Sequence, residues 1–196
     1  MDVRFERTGE RRYGVFVHRA MYPSVEMNPA PSYDEDLPHD FVHFVVEEEL
    51  GLTHGVFGQL AAGGDAGTFR IANEGSGGRE VSRARRKQQD RGRRLAEAGS
   101  KEAEFSERAA TICHYEWLKR FPTGERLAEV RRLEGFVRKV RVGCSATESA
   151  SLSDPVVERI ARRLEDLSER WANVGVGQSI TLQWSPHAPA SERRSA

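Results

Sequence analysis

Apolar and polar residues alternate at both ends of this chain and fall at helical spacing between them. The opening "VRFERTGERRYGVFVHR" sets Val3 and Phe5 on one side of a turn containing Gly9 and Val15 and Val17 on the other, which predicts a β-hairpin. "SVEMNPAP" predicts a short third strand, ended by Pro29 and Pro31 because proline has no N–H for the ladder. Near the other end, "VGVGQSITLQW" returns to period two, with Ile180, Leu182 and Trp184 on one face and Thr181 and Gln183 on the other. A strand there could pair with the hairpin and bring the two ends of the chain together.

The middle of the chain reads as helices. Asp34 and Asp36 lead into Leu37-Pro38, a favourable start for a helix that Gly51 closes. At about 100° per residue, Phe41, Val42, Phe44, Val45, Val46 and Leu50 fill most of its circumference, leaving one narrow polar stripe. "HGVFGQLAAGGDAGTFRI" predicts a short helical turn, a loop and an extended piece from Thr68 to Ile71, and "ANEGSGG" a flexible connector. Phe105, Ala109, Ile112 and Trp117 mark an amphipathic helix over 101–120, ended by "FPTG". Thr123 would cap the next, carrying Leu127, Val130, Leu133 and Val137, and Arg141 to Leu152 reads as a loop. The clearest helix is capped by Asp154, has Pro155 in its first turn and carries Val156, Ile160, Leu164, Leu167 and Trp171.

Strands at the ends with helices between them predict an α+β domain: a small antiparallel sheet from the N-terminal hairpin and the C-terminal strand, covered on one side by about four helices. One such domain spans 1–186, an exposed Arg-rich segment occupies 75–100, and 187–196 form a disordered tail.

Composition narrows the function classes. With 30 basic and 30 acidic residues the net charge is zero, so no global field draws the chain to nucleic acid or an anionic membrane, and any attraction is local. The first residues lack the apolar core of a secretory signal, and no apolar run approaches the roughly 18 residues needed to cross a bilayer, so a cytoplasmic location is expected. Cys113 and Cys144 form no CxxC pair and are expected to be small buried thiols.

Candidate chemistry centres on "DLPHDFVHFVVEEELG". His39 and His43, one helical turn apart, could supply two imidazole ligands to a divalent metal such as zinc, with Glu47 on the same stripe. Asp40 or Glu47 would then serve as ligand or proton acceptor in a hydrolytic site. HDxxH differs from the HExxH of metalloproteases, whose glutamate is one methylene longer, so a protease is not expected. Three ligands from one straight helix also strain the geometry, because eight residues span about 12 Å, so a site would draw a further ligand from His54, His114, Cys113 or Asp65. The alternative is a solvated or hydrogen-bonded face, since the run Glu47-Glu48-Glu49 is of the kind that usually faces water.

"LPHDFVHFVVEEELG" with "FGQLAAGGDAGTF" resembles a family of uncharacterised bacterial proteins over about thirty residues. That resemblance implies no activity. HDxxH is also similar to the zinc motif of the ubiquinone-biosynthesis organiser family, but Gly55 stands where that family's downstream glutamate belongs, and the match is rejected.

A second class of function comes from "REVSRARRKQQDRGRR". Arg83, Arg85, Arg86, Lys87, Arg91, Arg93 and Arg94 offer phosphate contacts to a nucleic acid or ion pairs to an acidic protein. With almost no apolar residues to bury, this stretch is expected to be exposed and poorly ordered, and it has no aromatic platform for base stacking. A structural homo-oligomer is a third reading. "AAGGDAGTF" lacks the lysine and serine or threonine of a P-loop and reads as a turn. Trp117, Trp171 and Trp184 are expected as core anchors.

Overall fold

The hairpin forms as the alternation requires, in a computed structural model that describes residues 1–72, 79–120 and 124–185. Strands β1 (Asp2–Gly9) and β2 (Arg12–His18) pair antiparallel, with Val3 opposite Val17 and Phe5 opposite Val15. β3 (Val25–Met27) continues the meander, and a short β4 (Arg70–Ile71) closes that edge. β5 (Ser179–Gln183) pairs with β1, Ile180 opposite Phe5 and Leu182 opposite Val3, so the strand order is β4-β3-β2-β1-β5. The expected joining of the two chain ends is therefore present.

Seven helices are present among the described residues. Helix α1 (His39–Leu50) lies beneath the sheet and packs on the short α2 (Val56–Ala61), on α4 (Ser100–Leu118) and on α7 (Asp154–Ala172). Phe41 stacks on Phe5 with ring centroids 4.1 Å apart and meets Trp171 at 5.6 Å, while Phe44 meets Trp184 at 5.4 Å. Each such side chain removed from water contributes about 1.5–3 kcal/mol, so this aromatic layer helps fasten the helices to the sheet. Trp117, Trp171 and Trp184 are all buried anchors, as expected. No helix among the described residues is long and apolar enough to cross a membrane.

Several local expectations are corrected. The Arg-rich stretch is a helix, α3 (Arg79–Ala98), with contacts to α2 and α4. Its inward stripe runs through Ala84, Gln88, Gly92 and Leu95 to Gly99 just beyond the helix, and it is small rather than apolar. A Cβ at Gly92 would lie 2.3 Å from Asp65 Oδ1, and one at Gly99 would lie 2.2 Å from His54 Cβ, so close approach of backbone replaces bulk as the packing device. The loop expected from Arg141 to Leu152 contains α6 (Ala146–Ser151). Its Ser145 and Glu148 form a reciprocal capping box, a signal readable in the sequence as Ser-x-x-Glu. Ser153, not Asp154, occupies the N-cap position of α7, without a side-chain capping bond, and Val157 rather than Val156 starts its buried face. Helix α5 (Gly124–Val142) packs on α4; its expected cap, Thr123, lies outside the described residues, as do most of the connector and the C-terminal tail.

Candidate functional site

The polar stripe of α1 is buried. Asp40, His43, Glu47, Glu48 and Glu49 are all at most 8% exposed, and His39 alone reaches solvent, so the expectation that the acidic run faces water is corrected. Each group is answered by a different element.

Glu47 is fully enclosed. Its carboxylate accepts from the backbone N–H of Val56 and of Phe57, both at 2.8 Å, and from the Ser106 hydroxyl at 2.8 Å. The first two are the free amides at the start of α2, whose N-cap residue is Gly55 and so has no side chain for the role. A Cβ at Gly55 would lie 2.2 Å from the Glu47 carboxyl carbon, so the glycine is the space that the carboxylate fills. At the other end of α2 the buried Arg19 donates to the carbonyls of Leu60 at 3.0 Å and Gly64 at 2.8 Å, and to Pro23. Burial, with Arg91 nearby, holds its guanidinium down to about 10. The six-residue α2 thus carries a carboxylate at its positive end and a cation at its negative end, both supplied from elsewhere in the chain.

Asp40 accepts a hydrogen bond from the Tyr13 hydroxyl across the interface between α1 and the sheet. Burial pushes both groups above their ordinary ranges. Glu48 and Glu49 bind α7: Arg163 reaches Glu48 at 2.7 Å and Glu49 at 2.6 Å, and Arg159 reaches Glu49 at 2.8 Å. Glu48 also accepts from the Ser185 amide at 2.9 Å, tying down the chain just beyond β5.

His43 links the stripe to α4. Its Nδ1 lies 3.4 Å from the Ser106 hydroxyl and 3.7 Å from Glu47, and its Nε2 lies 3.7 Å from Glu107. This Ser–His–Glu juxtaposition was not read from the sequence, because its members sit on two helices. It does not make a nucleophile: Ser106 is buried and donates its proton to Glu47 rather than to the imidazole. Burial acts to lower the His43 pKa, and hydrogen bonding and charge from Glu47, with Glu107 and Asp40 behind, outweigh it and raise it.

A pH dependence follows. Folded His43 holds its proton to higher pH than the unfolded chain, so its contribution to stability is complete below about pH 6.5 and drains away as pH rises through the folded value. The urea midpoint should fall on the alkaline side of pH 6.5, and His43→Gln should flatten that limb. Parallel pH profiles for the two proteins would show that His43 does not carry it.

His39 and His43 do come together, with ring centroids 4.7 Å apart, but Asp40 is bonded to Tyr13 and Glu47 to α2 and Ser106. His54 is bonded to Glu102 instead, and Cys113 is buried, its thiol pushed up to about 12. Asp65 accepts from the Gly67 amide in its own loop. Among the described residues, no group of three or more His, Cys, Asp or Glu side chains is arranged to hold a metal ion.

Helix α3 presents the second set. Arg83, Arg86, Lys87, Arg93 and Arg94 are exposed and, at about 100° per residue, fall within an arc of about 120° opposite the packed stripe. Asp90 lies among them and pairs with Arg93 at 2.9 Å. Arg85 is exposed on the flank of the helix, and Arg91 turns inward to stack on the Tyr22 ring at 4.6 Å. Arg83, Arg85, Arg86 and Lys87 make no ion pair among the described residues.

Comparison of the chain with protein-family models, with curated proteins and with solved structures finds no match.

Proposed function

We propose that this protein is a non-catalytic binding module whose α3 lays a basic face along the phosphate backbone of a nucleic acid. The observation that carries the reading is the stripe of Arg83, Arg86, Lys87, Arg93 and Arg94, exposed along about 16 Å of one helix face, with Asp90 as the acid among them. The helix as a whole has eight basic residues against three acidic ones in a chain of zero net charge, so the field is local.

The way α3 is mounted narrows the mode of contact. Its opposite face packs through Gly92 and Leu95 on the Gly64-Asp65 loop and also contacts α2 and α4, so the helix meets a partner with its outer, basic side, whose long cationic side chains suit phosphate contact. The stripe holds no aromatic side chain, which favours duplex phosphate contact over single-strand stacking. Less support attaches to a hydrolytic HDxxH site, since the two carboxylates it would use, Asp40 and Glu47, accept hydrogen bonds inside the core.

Fluorescence anisotropy with duplex DNA of two unrelated sequences tests the reading. The expected binding is indifferent to sequence, and its affinity falls with salt at a log–log slope of about −4. Replacing Arg83, Arg86 and Lys87 by glutamine should reduce that slope by about 3. No binding, or binding insensitive to salt, would overturn the proposal, and equal affinity for polyglutamate would transfer the face to an acidic protein partner.

A further inference from the structure

Outside α3 and the buried lattice of α1, one concave site collects chemistry that neither uses. Where the start of α1 meets α4 and α5, a cleft of about 240 Å³ opens to solvent. Ala110, Leu133 and Val137 form its apolar floor. Phe136 stands at its rim, 56% exposed, one of the few large apolar side chains the fold leaves in water. His39 and His114 contribute imidazoles, Glu107 and Glu129 contribute carboxylates, and among the described residues neither arginine nor lysine lines the cleft.

The charges have unequal partners. Glu129 is answered by Arg132 at 3.3 Å. Glu107 is 70% exposed, and among the described residues it faces only His43, at 3.7 Å. Any charge on His43 is already shared from behind by the enclosed Glu47. The cleft therefore holds an excess of negative charge beside an aromatic wall.

We infer that this cleft is a binding site for a small organic cation, an ammonium on an apolar body, with the ammonium on Glu107 and the body against Phe136. The cation meets a carboxylate whose one ion-pair partner among the described residues, His43, is shared with Glu47, in a cleft that the Phe136 ring also lines. The apolar part removes Phe136, Leu133 and Val137 from water. His39 reaches solvent on one side, and the partial burial of its imidazole holds it down to about 4, with His43 and His114 adding to the effect; burial also lowers His114. Both rings are thus neutral near pH 7 and present lone pairs to ammonium N–H donors rather than competing charge. A cleft of about 240 Å³ suits a single-ring amine and is too small for a polymer.

The test uses phenethylammonium as probe, with 2-phenylethanol as its neutral counterpart and 3-phenylpropionate as its anionic one, read by NMR on the histidine ring resonances of the full chain at pH 7.5. Saturable shifts of His39 and His114 with the ammonium alone are expected, and Glu107→Gln should weaken binding about tenfold, as expected for loss of a charge-assisted pair. Phe136→Ala should weaken it by a smaller factor. Glu107 and Phe136 are both exposed, so the variants keep the fold, which the unchanged dispersion of the remaining resonances verifies. Equal affinity for the alcohol, an unchanged constant in Glu107→Gln, or shifts that do not saturate would each overturn the assignment.

Discussion

Replacing Glu47 by alanine should lower the free energy of unfolding by about 3–5 kcal/mol, as measured by urea denaturation. The substitution strands the Val56 and Phe57 amides and the Ser106 hydroxyl in a site with no solvent exposure, and unsatisfied buried donors cost about 1–3 kcal/mol each. It also removes the cap of α2, a loss of the same kind as deleting an N-cap side chain. Glu47→Gln keeps the shape but points an NH2 at one of the donors, so it should recover only part of the loss. Gly55→Ala should be comparably damaging from the other side, because its Cβ would overlap the carboxylate. A loss below about 1 kcal/mol in Glu47→Ala would mean that water satisfies those donors and that the carboxylate is not the cap.

Arg163→Met should cost about 2–3 kcal/mol, the second largest effect expected from a single side chain. Glu48 and Glu49 are 7% and 4% exposed, and Arg163 bonds both. Its removal leaves two enclosed carboxylates with less compensation, and truncating one side of a buried pair commonly costs about 3–5 kcal/mol. The lower figure applies because Arg163 is itself 34% exposed, Arg159 still reaches Glu49, and the Ser185 amide still reaches Glu48. Double-mutant cycles with Glu48→Gln and Glu49→Gln would divide the coupling, and additivity in both cycles would show that these contacts contribute nothing.

The architecture was legible where the signal is local. Alternation at Val3, Phe5, Val15, Val17, Ile180 and Leu182 identifies strand faces because the pleat has period two, and the pairing of β5 with β1 follows from burying those faces together. The steps of α7 and the fullness of α1 identified their helices for the corresponding reason at period 3.6. Helix α3 was misread because its inward face is made of Ala84, Gly92 and Gly99, which hold no hydrophobic signal and act only through how closely a neighbour can approach.

The candidate site was half legible. The sequence identified His39, Asp40, His43 and Glu47 as a group of unusual residues on one helix, and identified the basic run as an exposed accumulation of charge, though not as a helix. Their employment depends on partners that no spacing within α1 contains: Tyr13 is 27 residues from Asp40 and Ser106 is 59 from Glu47. Burial of a charge is a property of the assembled layers, since the same carboxylate is solvated on a free helix and costly inside unless donors meet it. By itself, then, the sequence determined the α+β class, the strand faces and the helix periods, which are short-range consequences of chain geometry. Only the tertiary structure decided that Glu47 and Arg19 cap α2, that Glu48 and Glu49 bind α7, and that Glu107 and Phe136 line one cleft. Each of these depends on groups brought together by packing, and the energy of a polar group is set by what surrounds it.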